Sequence, residues 1–208
     1  MTSQTSSQRL ILASGSPQRR SLLEHAGYTF RVVTPSPQAE CGVCSQETPP
    51  ELVARLACQK AADVVSQLNV AGPLQHEMIV ACDTVAECVG QVLGKPIDAE
   101  HARQMLKLLS GRVHHVYSGV CIWQLPKGEP HVTVVVTRLR MDALSDQQID
   151  EYVASGQWEG KAGAFGYQDR IDWLHIEEGS ESNVIGLPME KLAELLAAAE
   201  PPAESSSP

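Results

Sequence analysis

The chain has 208 residues, 43% of them hydrophobic, and a formal net charge of −9 at pH 7. That length suits one or two domains and buries roughly 70% of the unfolded surface without disulfide staples. The acidic balance excludes a general DNA or RNA binder with a broad basic face, and no run approaches the ~20 apolar residues of a membrane span.

Strand and helix signals alternate along the chain. Residues 1–8 are Ser/Thr/Gln-rich and residues 200–208 Pro/Glu/Ser-rich, so both ends are expected to be disordered tails around one domain over 9–199. The opening lacks a basic stretch followed by a long apolar one, so no secretory signal is expected and the chain reads as a soluble cytoplasmic protein. Residues 10–13 form a short apolar strand that stops at Ser14-Gly15-Ser16-Pro17. Ser16 is a good N-cap and Pro17 a good first helical residue, which predicts a helix to about Gly27. A strand over 30–34 follows, then a Pro/Cys/Gln-rich loop. Thr48-Pro49-Pro50 caps a helix whose stripe of Leu52, Val53, Leu56, Ala57, Ala61, Val64 and Val65 carries it to about Gln67.

Residues 78–81 read as a buried strand ending at Cys82-Asp83-Thr84, with a hairpin of 85–89 and 91–93 around Gly90. Asp98 opens a helix striped by Ala102, Met105, Leu106 and Leu109. Residues 113–124 and 131–141 alternate and form the clearest hairpin. Ser145 caps a helix to Ala154. Gly-rich residues 160–166 precede a strand near 171–176, and 188–199 is the last helix. The pattern is a mixed α/β fold, with helices covering a twisted central sheet.

Four segments could carry chemistry. The strand–turn–helix start at Ser14–Ser16 presents free backbone N–H groups and a partial positive charge, an anion site in waiting. Arg19 and Arg20 sit in that first turn, where a bound phosphate would offset an otherwise unfavourable placement; alternatively both point to solvent. Asp83, at a strand end, could hold a divalent cation or activate water, or could merely cap a turn through Thr84. Lys95, between Gly94 and Pro96, could contact phosphate. In 161–168, small residues allow close approach and Gln168 could read a base edge. Of His114 and His115 only one can face inward, and a satisfied structural histidine is expected. Cys41-Gly-Val-Cys44 has half of a zinc motif without the other half, which makes a zinc module the weakest alternative. Cys58, Cys82 and Cys121 read as small buried hydrophobes.

These segments together resemble the Maf family of nucleoside triphosphate pyrophosphatases over about 10–196. The markers are 12–20 (Leu-Ala-Ser-Gly-Ser-Pro-x-Arg-Arg), Arg55-Leu-Ala-x-x-Lys60-Ala, Asp83-Thr84-Val85, Gly94-Lys95-Pro96, Leu109-Ser-Gly-x-x-His114, Lys161-Ala-Gly-Ala-Phe-Gly-x-Gln168 and Gly186-Leu187-Pro188. The resemblance implies a twisted mixed sheet with two lobes around a cleft, similar to the inosine triphosphate pyrophosphatases. It implies hydrolysis between the α- and β-phosphates, with Mg²⁺ or Mn²⁺ as cofactor, in a homodimer. It places Ser14, Ser16, Arg19, Lys60 and Lys95 around the triphosphate, Asp83 as general base and metal ligand, and Glu40 as the second metal ligand.

Three family positions vary with substrate and fall on Gln18, Thr84 and Gln168. The dTTP/UTP branch carries Arg, Thr and Gln there, so two of the three match it; the 7-methyl-GTP branch carries an aromatic at the first. Hydrolysis of dTTP and UTP is therefore the expected activity. A broader or modified-nucleotide pyrophosphatase and a non-catalytic nucleotide-binding regulator of cell division are the alternatives.

Overall fold

The computed structural model describes residues 9–40, 47–167 and 172–199. The two tails, the Cys41/Cys44 pair and Gln168 lie outside the described residues. A seven-stranded mixed sheet forms the centre. Its strands are β1 (Arg9–Ala13), β2 (Phe30–Val32), β3 (Glu77–Cys88), β4 (Gln91–Leu93), β5 (Val113–Gln124), β6 (Pro130–Met141) and β7 (Leu174–Glu178). The helices are α1 (Pro17–His25), α2 (Pro49–Ala71), α3 (Ala99–Leu109), α4 (Asp146–Ala154), α5 (Glu181–Ile185) and α6 (Met189–Ala199). The spatial order is β2-β1-β3-β5-β6-β7, with β4 folded back on β3. β1 runs parallel to β2 and β3, and the other pairs are antiparallel.

The strand pattern splits the core into two lobes. In the first, β1 is buried on both faces, which is why its sequence is apolar without alternation. Leu10 and Leu12 pack with Met78, Val80, Ile122 and the helical residues Leu23 and Leu192. Ile11 and Ala13 face the other way, onto Ala57, Ala61 and Val64 of α2. In the second lobe, the far half of β3 (Ala86, Cys88) joins Val116, Leu139 and Met141 under α3 and α4. The long strands β3 and β5 run through both lobes. Among the described residues no helix is long and apolar enough to cross a membrane.

The caps fall where the sequence puts them. Ser16, Asp98 and Ser145 each accept a hydrogen bond from the backbone three residues on. At α2 the Thr48 backbone N–H and hydroxyl both donate to Glu51, at 2.9 and 2.7 Å. Some readings need correction. β3 does not stop at residues 82–84; it continues to Cys88, because β5 pairs with it from Met78 to Glu87 while β1 leaves it after Ala81. β7 starts at Leu174, later than expected, and α5 has no counterpart among the expected elements. Cys82 and Cys121 are buried as expected, whereas Cys58 is only partly so. Burial, with the Cys58 thiol beside it, pushes the Cys121 thiol up to about 12, which keeps it protonated and inert.

Gly119 shows what the packing demands. It pairs with Asp83 across the β3–β5 ladder. A Cβ there would lie 2.2 Å from the Val53 carbonyl oxygen and 2.8 Å from the Ala54 nitrogen. The missing side chain thus lets α2 settle directly onto the sheet. Gly119→Ala must push helix backbone away, and overpacking of that kind costs about 2–3 kcal/mol. Thermal unfolding should show a Tm drop of about 5–10 °C, with activity falling because Lys60 sits two turns further along the same helix.

His114 is fully buried on β5, and His115 points outward toward Glu87. The expectation of a satisfied histidine fails. Neither His114 ring nitrogen has a hydrogen bond of normal geometry among the described residues, and the ring packs edge-on against Phe165 with centroids 5.2 Å apart. Burial pushes its pKa down to about 4, against a weaker upward pull from the Arg112 backbone. The unfolded chain binds this proton near pH 6.5 and the folded one only near 4, so stability falls as pH drops through that window. A shift of this size amounts to about 3 kcal/mol. Stability measured at pH 7 and pH 4.5 should diverge in the native chain and much less in His114→Leu.

Candidate active site

The cleft between the lobes opens where β1 ends and β3 runs on. At Ala13 the chain leaves the sheet through Ser14-Gly15-Ser16 into α1, exposing the middle of β3. Asp83 and Thr84 sit there, at the point where the parallel pairing stops. The resulting cavity measures about 660 Å³. Its walls bring together Ser14, Ser16, Gln18, Arg19, Glu40, Lys60, Asp83, Thr84 and Lys95. Segments far apart in the sequence, from Ser14 to Gly186, converge on one space.

At its floor lies an ion-pair triad. Lys60, only 5% exposed, extends from α2 between two carboxylates. Its ammonium stands 2.7 Å from Asp83 Oδ1 and 3.1 Å from Glu40 Oε1. Asp83 is largely buried, whereas Glu40 stands more than half exposed at the rim. Burial raises the Glu40 carboxyl, but the charge and hydrogen bond of Lys60, with Lys95 and Arg19 beyond, hold it below the ordinary carboxylate value.

The other wall is the N-terminal end of α1. The Ser14 hydroxyl oxygen accepts from the Ser16 N–H at 3.2 Å and from an Arg19 terminal nitrogen at 3.3 Å. Arg19 also donates through Nε to the Gly186 carbonyl at 2.7 Å and through its other terminal nitrogen to Thr84 Oγ1 at 3.1 Å. These three contacts aim the guanidinium along the floor and leave further N–H groups for a ligand. Arg20, next in sequence, lies about 100° away around the helix; it is exposed and pairs with Glu24 at 2.8 Å. One arginine thus enters the cleft, and the solvent reading holds for the other.

Thr84 lies deep, its hydroxyl 2.8 Å from Ser118 Oγ and within reach of the Gly186 carbonyl at 3.2 Å. Gln18 takes the Ser16 hydroxyl at 2.9 Å. Lys95 is exposed at the cavity edge. Its loop is tied down by the Gly163 N–H donating to the Gly94 carbonyl at 3.0 Å. A Cβ at Gly163, whose φ is +72°, would meet Phe165 at 2.7 Å and Ala86 at 3.0 Å, so the Gly-rich segment earns its composition by close packing. Glu159 and Thr34 also line the cavity and carried no signal of their own in the sequence.

Among the described residues no group of three or more His, Cys, Asp or Glu side chains could cage a metal. The two carboxylates on the Lys60 ammonium are hard oxygen donors of the kind Mg²⁺ or Mn²⁺ takes, and would need further oxygens from substrate or water to hold one.

Comparison with known proteins shows what the chain is similar to. The chain is 57% identical over 188 residues to a dTTP/UTP pyrophosphatase of Rhodopirellula baltica, covering 90% of this chain and 80% of that one. It is 40% identical over 194 residues to a dTTP/UTP pyrophosphatase of Pelotomaculum thermopropionicum, covering 90% and 94%. Another of that description, from Dictyoglomus thermophilum, is 37% identical over 188 residues, covering 90% and 94%. The solved Staphylococcus aureus Ham1 protein aligns with a TM-score of 0.49 at 15% identity, covering 92% of this chain and 97% of that one. The family model described as Maf-like protein matches residues 9–199. From the serine turn through the Asp83 strand to the last helix, the chain belongs to the Maf family.

Proposed function

We propose that this chain hydrolyses dTTP and UTP between the α- and β-phosphates, releasing the nucleoside monophosphate and pyrophosphate and so clearing nucleotides from the pool. The observation that carries the reading is the convergence of Asp83, Lys60 and Arg19 in one cleft of a chain so similar to enzymes of that description. Asp83 accepts the proton of the attacking water, and Lys60 holds the carboxylate in place. Arg19, Lys95, the Ser14 and Ser16 hydroxyls and the start of α1 hold the triphosphate, so local positive charge forms despite the net −9. Asp83 and Glu40 would hold Mg²⁺ or Mn²⁺, which when bound neutralises phosphate charge. Gln18, Thr84 and Gln168 are assigned to nucleobase choice. We place the reaction in the cytoplasm, where nucleoside triphosphates are made and consumed.

A panel of dTTP, UTP, CTP, GTP and 7-methyl-GTP, with pyrophosphate and orthophosphate measured separately, tests this. One pyrophosphate should appear per turnover, and kcat/KM for dTTP and UTP should exceed the others by about tenfold or more. A preference for 7-methyl-GTP, or orthophosphate as first product, would replace the assignment.

A further inference from the structure

The candidate metal carboxylate Glu40 ends a short 3₁₀ turn, Pro37–Glu40, on a connecting segment. Something must hold that segment against the cleft. Three side chains on one face of α2, at spacing i, i+3 and i+7, reach across to it. Lys60 meets Glu40 itself, at 3.1 Å. Asp63 accepts the Ser36 backbone N–H on Oδ2 at 2.8 Å and the Ser36 hydroxyl on Oδ1 at 2.6 Å. Gln67 donates to the Thr34 carbonyl at 3.1 Å and to Asp63 Oδ2 at 2.7 Å.

Ser36 is the pivot. Its carbonyl accepts the Ala39 N–H at 3.0 Å and so closes the turn that ends on Glu40, and Ala39 is buried beneath it. Asp63 therefore clamps the residue that opens the turn, four positions before the carboxylate. The Ser36 hydroxyl holds the Asp63 carboxyl below its ordinary value, so it acts as an acceptor throughout the neutral range. Asp63 is not among the residues lining the cavity, and α2 beneath it is pinned to the sheet at Gly119.

We propose that Asp63 is a positioning residue that, through Ser36, fixes the turn Pro37–Glu40 and sets Glu40 across Lys60 from Asp83, where the two carboxylates share a divalent cation. This rests on the reading of Glu40 as a metal ligand given above. A bland alternative is a tether that stabilises the fold and nothing more.

A double-mutant cycle in the full chain separates the two. Asp63→Ala, Glu40→Gln and the double variant are compared by the Mn²⁺ concentration for half-maximal pyrophosphate release, and by Mn²⁺ alone bound to the protein, read by electron paramagnetic resonance. Asp63→Ala should raise the Mn²⁺ requirement about tenfold or more, the usual effect of losing a residue that orients a metal ligand, with kcat at saturating Mn²⁺ kept within about twofold. It should add nothing once Glu40 is already Gln. In the metal-free protein, exchange of the Ser36 amide should accelerate. An unchanged Mn²⁺ requirement in Asp63→Ala, or an effect that simply adds to that of Glu40→Gln, overturns the proposal. A Glu40→Gln variant with a native Mn²⁺ requirement instead removes the reading of Glu40 and this inference with it. Should Asp63→Ala fail to fold, Ser36→Ala, which loosens the same clamp from the loop side, replaces it in the cycle.

Discussion

Asp83→Asn should lower kcat by about 10²–10⁴, the usual contribution of a positioned general base. The substitution preserves shape, and an asparagine oxygen can still accept from Lys60, whose ammonium now lies 2.7 Å from Asp83 Oδ1. The ladder pairing with Gly119 involves only backbone and is untouched. Folding and nucleotide binding should therefore survive, and KM should move by no more than about threefold. Asp83 is also assigned to the metal, so the two roles need separating. A lost ligand is compensated by raising Mn²⁺, whereas a lost base is not. Kinetics at saturating Mn²⁺ should leave most of the deficit in place. Recovery to near the native rate would reduce Asp83 to a metal ligand, and a native rate at ordinary Mn²⁺ would remove it from both roles.

The parts of this molecule that were legible in the sequence are those set by local chemistry. Ser16-Pro17, Asp98 and Ser145 announce helix starts because their side chains satisfy N–H groups that have no helical partner. The 113–124 and 131–141 hairpin shows in its alternation. The sequence splits β3 into two pieces because Cys82-Asp83-Thr84 interrupts an apolar run, yet the strand is continuous. Locally, polar residues after a buried run signal a strand end. Here they signal a wall of the cleft, made possible by β1 turning away while β5 keeps pairing, a tertiary fact that no window of β3 contains. α5 is a single short turn capped by Ser180 and anchored by buried Asn183, which donates to the Val116 carbonyl at 3.2 Å and to Thr137 at 2.9 Å. Its reason lies on strands more than forty residues away. The choice between Arg19 and Arg20 was within reach, since neighbours on a helix cannot share a face. The partners that settle it, Gly186 and Thr84, come only with the fold.

Lys60→Met carries the second large expectation, and its value lies in effects of opposite sign. Lys60 is nearly buried between Asp83 and Glu40, so its removal strips a preorganised cation from the cleft. Loss of such a group costs about 10²–10³ in rate, and kcat/KM for dTTP should fall by that factor. Without metal, Asp83 is left largely buried and uncompensated, which should destabilise the fold by up to about 3 kcal/mol, the lower end for a broken buried pair. The Glu40 carboxyl, now held low by Lys60, should titrate higher. A carboxyl held low when folded contributes stability that is lost as pH falls through its folded value, so the variant, without Lys60 to hold Glu40 low, should have less of this contribution to lose on acidification than the native chain. Toward Mn²⁺ alone the sign reverses. The native ammonium contacts one oxygen of each carboxylate and repels a dication without displacing it, so Lys60→Met should bind Mn²⁺ more tightly and regain much of its lost Tm when Mn²⁺ is added. Calorimetry with and without Mn²⁺, beside dTTP kinetics, reads all of these. A Lys60 that serves only as core packing would leave kcat/KM within about threefold and Tm indifferent to metal, whereas a Lys60 that holds both carboxylates ready for substrate must weaken nucleotide turnover and strengthen metal binding together.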